Sequence, residues 1–148
     1  MKLPKYQLTA ERSLMVFDFV SVGDKGRIPK IVKYSGTNVK DFFNLAFGDK
    51  DPATGAINDV VISNNGDSEM VLATVVATLY AFTDKYPDAF VFATGSTKSR
   101  TRLYRIGIVR HINEIKKDFR IYGLRNDTWE NFEKNIEYEG FLAQRKKY

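Results

Sequence analysis

The 148 residues include no cysteine, one histidine (His111), one tryptophan (Trp129) and four prolines. Each scarcity excludes a chemistry. Without cysteine there is no disulfide, no thiolate zinc site, no iron–sulfur cluster and no thiol nucleophile. A single histidine excludes a histidine-rich metal centre. No apolar run approaches the ~18 residues that a membrane-spanning helix needs. The opening residues Met1-Lys2-Leu3-Pro4-Lys5-Tyr6 lack the apolar centre of a secretory signal. A soluble, cytoplasmic protein that does not engage membranes is expected.

What is present is ordinary for a folded domain. Hydrophobic residues make up 43% and charged residues 28%, which argues against disorder. One globular domain over residues 1–148 is expected, with a loose basic tail from Arg145 to Tyr148. The charge is less ordinary once divided. The net charge is +5. Residues 1–95 carry 10 basic and 11 acidic side chains, residues 96–120 carry 8 and 2, and residues 121–148 carry 5 of each. The excess therefore sits in one 25-residue stretch. Such asymmetry points to an anionic partner, the alternative being a solvated helix face.

Hydrophobic patterning places the elements. Leu14–Val22 and Arg27–Tyr34 read as strands around the turn Gly23-Asp24-Lys25-Gly26. Pro29 marks the second as an edge strand or a bulge. Phe42–Phe47 and Ile57–Ser63 form a second candidate hairpin. Val71, Val75, Leu79, Phe82 and Tyr86 recur at helical spacing, with Asp67 or Ser68 as N-cap and Pro87 as terminator. Ala89–Thr94 is a short central strand. A second helix is expected over Thr97–Asp118, bent at Gly107 or covered on more than one face. Arg120–Leu124 is a further strand, and the region around Trp129, Phe132 and Phe141 packs. Because the strands precede the helices in a block, the expected class is α+β with a largely antiparallel sheet and two main helices.

The strongest functional signal lies where that central strand passes into the second helix. A helix start presents unpaired N–H groups and a positive dipole end. Here Gly95 precedes hydroxyls at Ser96, Thr97 and Ser99, a point charge at Lys98, and guanidinium forks at Arg100, Arg102 and Arg105 that match phosphate geometry. The spacing is not that of a P-loop. The acidic residues Asp49, Asp51, Asp59 and Asp67 are candidate oxygen ligands for Mg²⁺ or Ca²⁺, but turn formation explains them better, so no metal is expected. No cofactor is expected either. His111 reads as a packed or capping residue rather than a base. Phe17, Phe19, Phe42, Phe43 and Phe47 alternate on strands as core residues; any that are exposed beside the basic helix would form a platform for single-stranded nucleic acid.

The segments Lys25–Lys30, Asn44–Asp49, Ile62–Asp67 and Thr94–Arg105 together resemble an uncharacterised family of small bacterial proteins. That resemblance spans nearly the whole chain, implies one small domain and transfers no catalytic residue. Residues 14–86 also resemble half of a Whirly-type single-stranded DNA-binding fold. The leading reading is a binding module for nucleic acid, single-stranded in particular, or for another polyanion. The alternatives are an enzyme acting on a phosphorylated small molecule, which requires a pocket beside Ser96 with a convergent carboxylate, and a protein-interaction module such as a homodimer.

Overall fold

The computed structural model describes residues 5–58, 64–95 and 97–147. These residues contain eight strands and three helices, with four strands before the first helix. The class is α+β, and the strand pairing is mixed but mostly antiparallel. The chain forms two compact units, Met1–Tyr34 with Ala46–Lys85 and Ser35–Leu45 with Tyr86–Tyr148, so strand β4 (Phe42–Asp49) contributes to both. None of the described helices is long and apolar enough to cross a membrane.

In the first unit β1 (Thr9–Ala10) pairs with β2 (Val16–Gly23), which pairs with β3 (Gly26–Gly36) across the two-residue turn Asp24-Lys25. β2 begins later than its apolar residues suggest because Leu14 closes a turn on Glu11 and takes a φ of 54°. Pro29 needs neither an edge nor a bulge. The Tyr34 N–H bond to the Met15 carbonyl fixes the ladder's phase, and by alternation Val20↔Pro29 is a non-hydrogen-bonded pair. No bond to β2 is lost there, and the Pro29 carbonyl accepts from Lys50 N–H on its other side at 2.9 Å.

Phe17, Phe19 and Ser21 share a buried face with Lys30, Val32 and Tyr34. Helix α1 (Ser68–Lys85) covers it. The Tyr34 ring stacks on Phe82 at 4.2 Å, and its hydroxyl meets Thr78 Oγ1 at 2.9 Å. Of the second candidate hairpin, the described part holds. Lys50 bridges Ile57 antiparallel, and Asn58 N–H donates to the Asp49 carbonyl at 2.8 Å.

In the second unit β5 (Phe90–Ala93) is central, parallel to β4 over Phe42–Leu45 and antiparallel to β8 (Gly140–Arg145). β8 pairs with β6 (Phe119–Arg125), and β6 with β7 (Thr128–Asn131). Val91, Ala93, Phe119 and Phe141 are buried on one face. The register turns Phe42, Phe90, Phe92, Tyr122 and Trp129 to the other face.

The expected second helix is two helices, α2 (Lys98–Arg110) and α3 (Ile112–Asp118). The break is at His111 rather than Gly107. His111, 3% exposed with φ −109° and ψ 13°, caps both helices, and both His111 and Gly107 are buried. At the end of the chain Arg145 closes β8 and lies over the Phe119 ring at 5.3 Å, Lys146 N–H bonds the Asp118 carbonyl, and Lys147 pairs with Asp88. The basic end is thus tied down as far as Lys147.

Candidate functional site

The start of α2 is tightly built. Thr97 is its N-cap, with an extended backbone and a side-chain oxygen that accepts from Arg100 N–H at 3.2 Å. Gly95 N–H donates to Thr101 Oγ1 at 3.0 Å, and that hydroxyl donates to the Thr97 carbonyl. A Cβ on Gly95 would lie 2.3 Å from the Arg100 Cβ and 2.5 Å from the Thr101 nitrogen. Glycine is therefore required for the strand end to pack on the first helical turn. Its N–H is already used by Thr101, so Gly95 shapes the site rather than donating to a ligand.

Beside this turn lies a cleft of about 600 Å³, walled on one side by Thr94, Gly95, Thr97, Lys98, Thr101, Arg102 and Arg105. Its other wall is Arg125, Asn126, Glu137, Tyr138 and Glu139. Five of the eight expected binding residues, Gly95, Thr97, Lys98, Arg102 and Arg105, are brought together here. Ser99 is exposed and Arg100 half-buried, and neither lines the cleft. Ser96 lies outside the described residues.

The four cations differ in availability. The Arg125 guanidinium is held by both carboxylate oxygens of Glu130, at 2.7 and 3.2 Å. Arg105 donates one terminal nitrogen to the Lys134 carbonyl at 3.1 Å, while its buried Nε has no hydrogen-bond partner among the described residues. A buried unpaired donor is costly, so this one favours an incoming acceptor. Lys98 and Arg102 are exposed, and neither forms an ion pair among the described residues. Two carboxylates, Glu137 and Glu139, share the cleft with these four cations.

The opposite wall was missed by sequence reasoning. One part of it had a signal: Asn126 and Asp127 take φ of 52° and 59° between the paired residues Arg125 and Thr128. That is a two-residue hairpin turn of the kind Asn-Asp favours. The other part had none. Glu137 and Glu139 flank Tyr138, whose ring lies where a Cβ on Gly123 would come within 2.3 Å. That packing, with the Glu139 N–H bond to the Leu124 carbonyl at 2.8 Å and the Thr94 hydroxyl bond to the Glu139 carbonyl at 2.9 Å, holds the segment at the cleft.

The acidic residues of the first unit are engaged otherwise. Asp49 pairs with Lys30, which is 1% exposed. Asp51 accepts from the N–H groups of Ala53 and Thr54 in its own turn. Asp67 accepts from the hydroxyls of Tyr6 and Ser21, each at 2.5 Å. Asp59 lies outside the described residues. Among the described residues no three His, Asp or Glu side chains are grouped to hold a metal ion. Burial first, and then the bond to Asp67, push the Tyr6 phenol above its ordinary value near 10. Asn65 completes the network, donating to Ser21 Oγ and the Gly26 carbonyl and accepting from Lys25 N–H. Lys25 and Gly26 thus meet Asn65, while Ile62 and Ser63 of the Ile62–Asp67 segment lie outside the described residues. A smaller cleft of about 400 Å³ beside them is lined by Tyr6, Arg27, Lys30 and Lys50, with Asp18 paired to Lys50 at 3.1 Å.

No curated protein matches the chain, and no solved structure does. Residues 2–146 match a family described as Family of unknown function (DUF6934), and the chain belongs to that family.

Proposed function

We propose that the second unit binds nucleic acid or a related polyanion through the cleft at the start of α2. The observation that carries this reading is the set of cations there. Lys98 and Arg102 are exposed and unpaired, and the Arg105 Nε is a buried donor without a partner among the described residues. Phosphate oxygens supply what all three lack. The Whirly-type resemblance read from residues 14–86 names the same ligand class but falls mostly in the first unit; the cations of the cleft favour the second. A cytoplasmic setting, as the sequence reading expects, agrees with such a ligand.

The test is the salt dependence of binding to a labelled oligonucleotide. Affinity falls steeply with salt. Lys98→Ala with Arg102→Ala weakens binding and reduces the logarithmic salt slope by about 1.4, at ~0.7 per phosphate contact for a single strand. Absence of binding to any oligonucleotide at low salt overturns the reading.

A second reading has its own support. Glu137 and Glu139 line the same cleft as the cations, which is the arrangement an enzyme acting on a phosphorylated small molecule requires. The two readings separate by ligand size. A mononucleotide or sugar phosphate that binds as tightly as an oligonucleotide favours the enzyme.

A further inference from the structure

The cleft lies at one end of the second unit's strands, and the strand face beginning there carries an unusual surface. Phe42, Phe90, Phe92 and Tyr122 are half-buried on it, and Trp129 is 38% exposed. Three of the rings form a chain of contacts. Phe42 lies 5.9 Å from Phe92, and Phe92 meets Trp129 edge-on at 5.6 Å. Gly140 makes room for this, since a Cβ there would come within 3.0 Å of the Phe92 ring. The polar side chains on the same face are Asn44, Asn131, Gln144 and the exposed Arg120, and the paired positions place no carboxylate among them. Of the strand residues on this face that carry a side chain, Leu142 alone is buried, while Val91, Ala93, Phe119 and Phe141 lie buried on the opposite face, so these half-open aromatics add little to the core.

The face and the cleft are contiguous along the chain. Thr94 of the cleft is two residues beyond Phe92, and Arg125 follows Leu124, the pairing partner of Trp129. We infer that this face stacks unpaired bases of a single-stranded nucleic acid whose phosphates continue into the cleft. This rests on the polyanion reading above and names its ligand class. Aromatic faces suit bases because every base has a π-face, the amides suit base edges, and a face with one cation and no acid suits an anionic strand. A duplex hides its base faces and has nothing to offer these rings.

Trp129 is the only tryptophan, so its emission reports this face alone. The experiment titrates the full chain with an oligothymidylate of about 12 nucleotides, with a duplex of the same length, and with heparin. The inference expects quenching of Trp129 by the single strand, weaker binding of the duplex, and a loss of about 5- to 150-fold in affinity for Trp129→Ala. Trp129→Phe retains most of the binding, which separates stacking from a folding defect. Equal binding of single strand, duplex and heparin, with Trp129 emission unmoved and Lys98 and Arg102 still required, overturns the stacking inference and leaves the polyanion reading standing. Binding of none of the three overturns both. Quenching of Trp129 by brominated lipid vesicles but not by the single strand assigns the face to a membrane and overturns the inference.

Discussion

The two units have the same number of acidic side chains and opposite electrostatic habits. The first unit has 9 basic and 9 acidic side chains, and the second has 14 and 9, so the whole net charge of +5 belongs to the second. In the first unit polar groups satisfy one another: Lys30 with Asp49, and Tyr6 and Ser21 with Asp67. In the second, Lys98 and Arg102 stand exposed beside a cleft with no ion pair among the described residues. Charge consumed internally serves the fold. Exposed and unmatched charge contributes little to stability and so points outward, to a ligand.

That contrast breaks most readily in the first unit. Asp49→Ala strands a buried ammonium and should cost about 3–5 kcal/mol in urea denaturation, whereas Lys30→Met with Asp49→Leu should recover most of it. If Asp49→Ala is near neutral, the pair is not the buried lock described. Gly23→Ala is next, because its Cβ would fall 1.9 Å from the Asn65 carbonyl oxygen. A loss of about 1–3 kcal/mol is expected. Tyr6→Phe removes the hydroxyl that bonds Asp67 and should cost about 1 kcal/mol.

Tyr6 also predicts a pH dependence. Its folded value is raised, so the folded state holds the proton more tightly. That contribution is fully present below pH 10 and is lost as pH rises through the folded value. Unfolding followed from pH 9 to 11 should show the loss in the native chain and less of it in Tyr6→Phe. Smallest of all, Lys98→Ala with Arg102→Ala should change stability by less than ~0.5 kcal/mol while weakening oligonucleotide binding. A large stability loss there would mean that these cations serve the fold after all.

Much of this division was legible in the sequence, and the reasons differ by element. The β2–β3 hairpin, α1 and the central β5 follow from local alternation, helical spacing and turn residues. The split charge led to the start of α2. What stayed hidden depends on long-range packing. Residues 98–118 have helical character throughout, and nothing local marks His111 as a joint. Gly95 reads as part of an anion loop, yet its close approach to Arg100 and Thr101 explains it. Arg125, Glu137 and Glu139 line one cleft with Lys98 because β6 and β8 pair side by side, Tyr138 settles over Gly123 and Glu139 N–H bonds the Leu124 carbonyl. The aromatic face is a matter of register: Phe42, Phe90, Phe92, Tyr122 and Trp129 come from four strands that no sequence pattern aligns.

The most direct test of the central claim is amide chemical-shift mapping of the full chain during titration with a single-stranded oligonucleotide. The account predicts shifts confined to the second unit, at Thr97–Arg105, around Arg125 and at Trp129, with the residues around Tyr6, Asn65 and Asp67 unmoved. Shifts centred on Tyr6, Lys30 and Lys50 with Lys98 and Trp129 silent would contradict it.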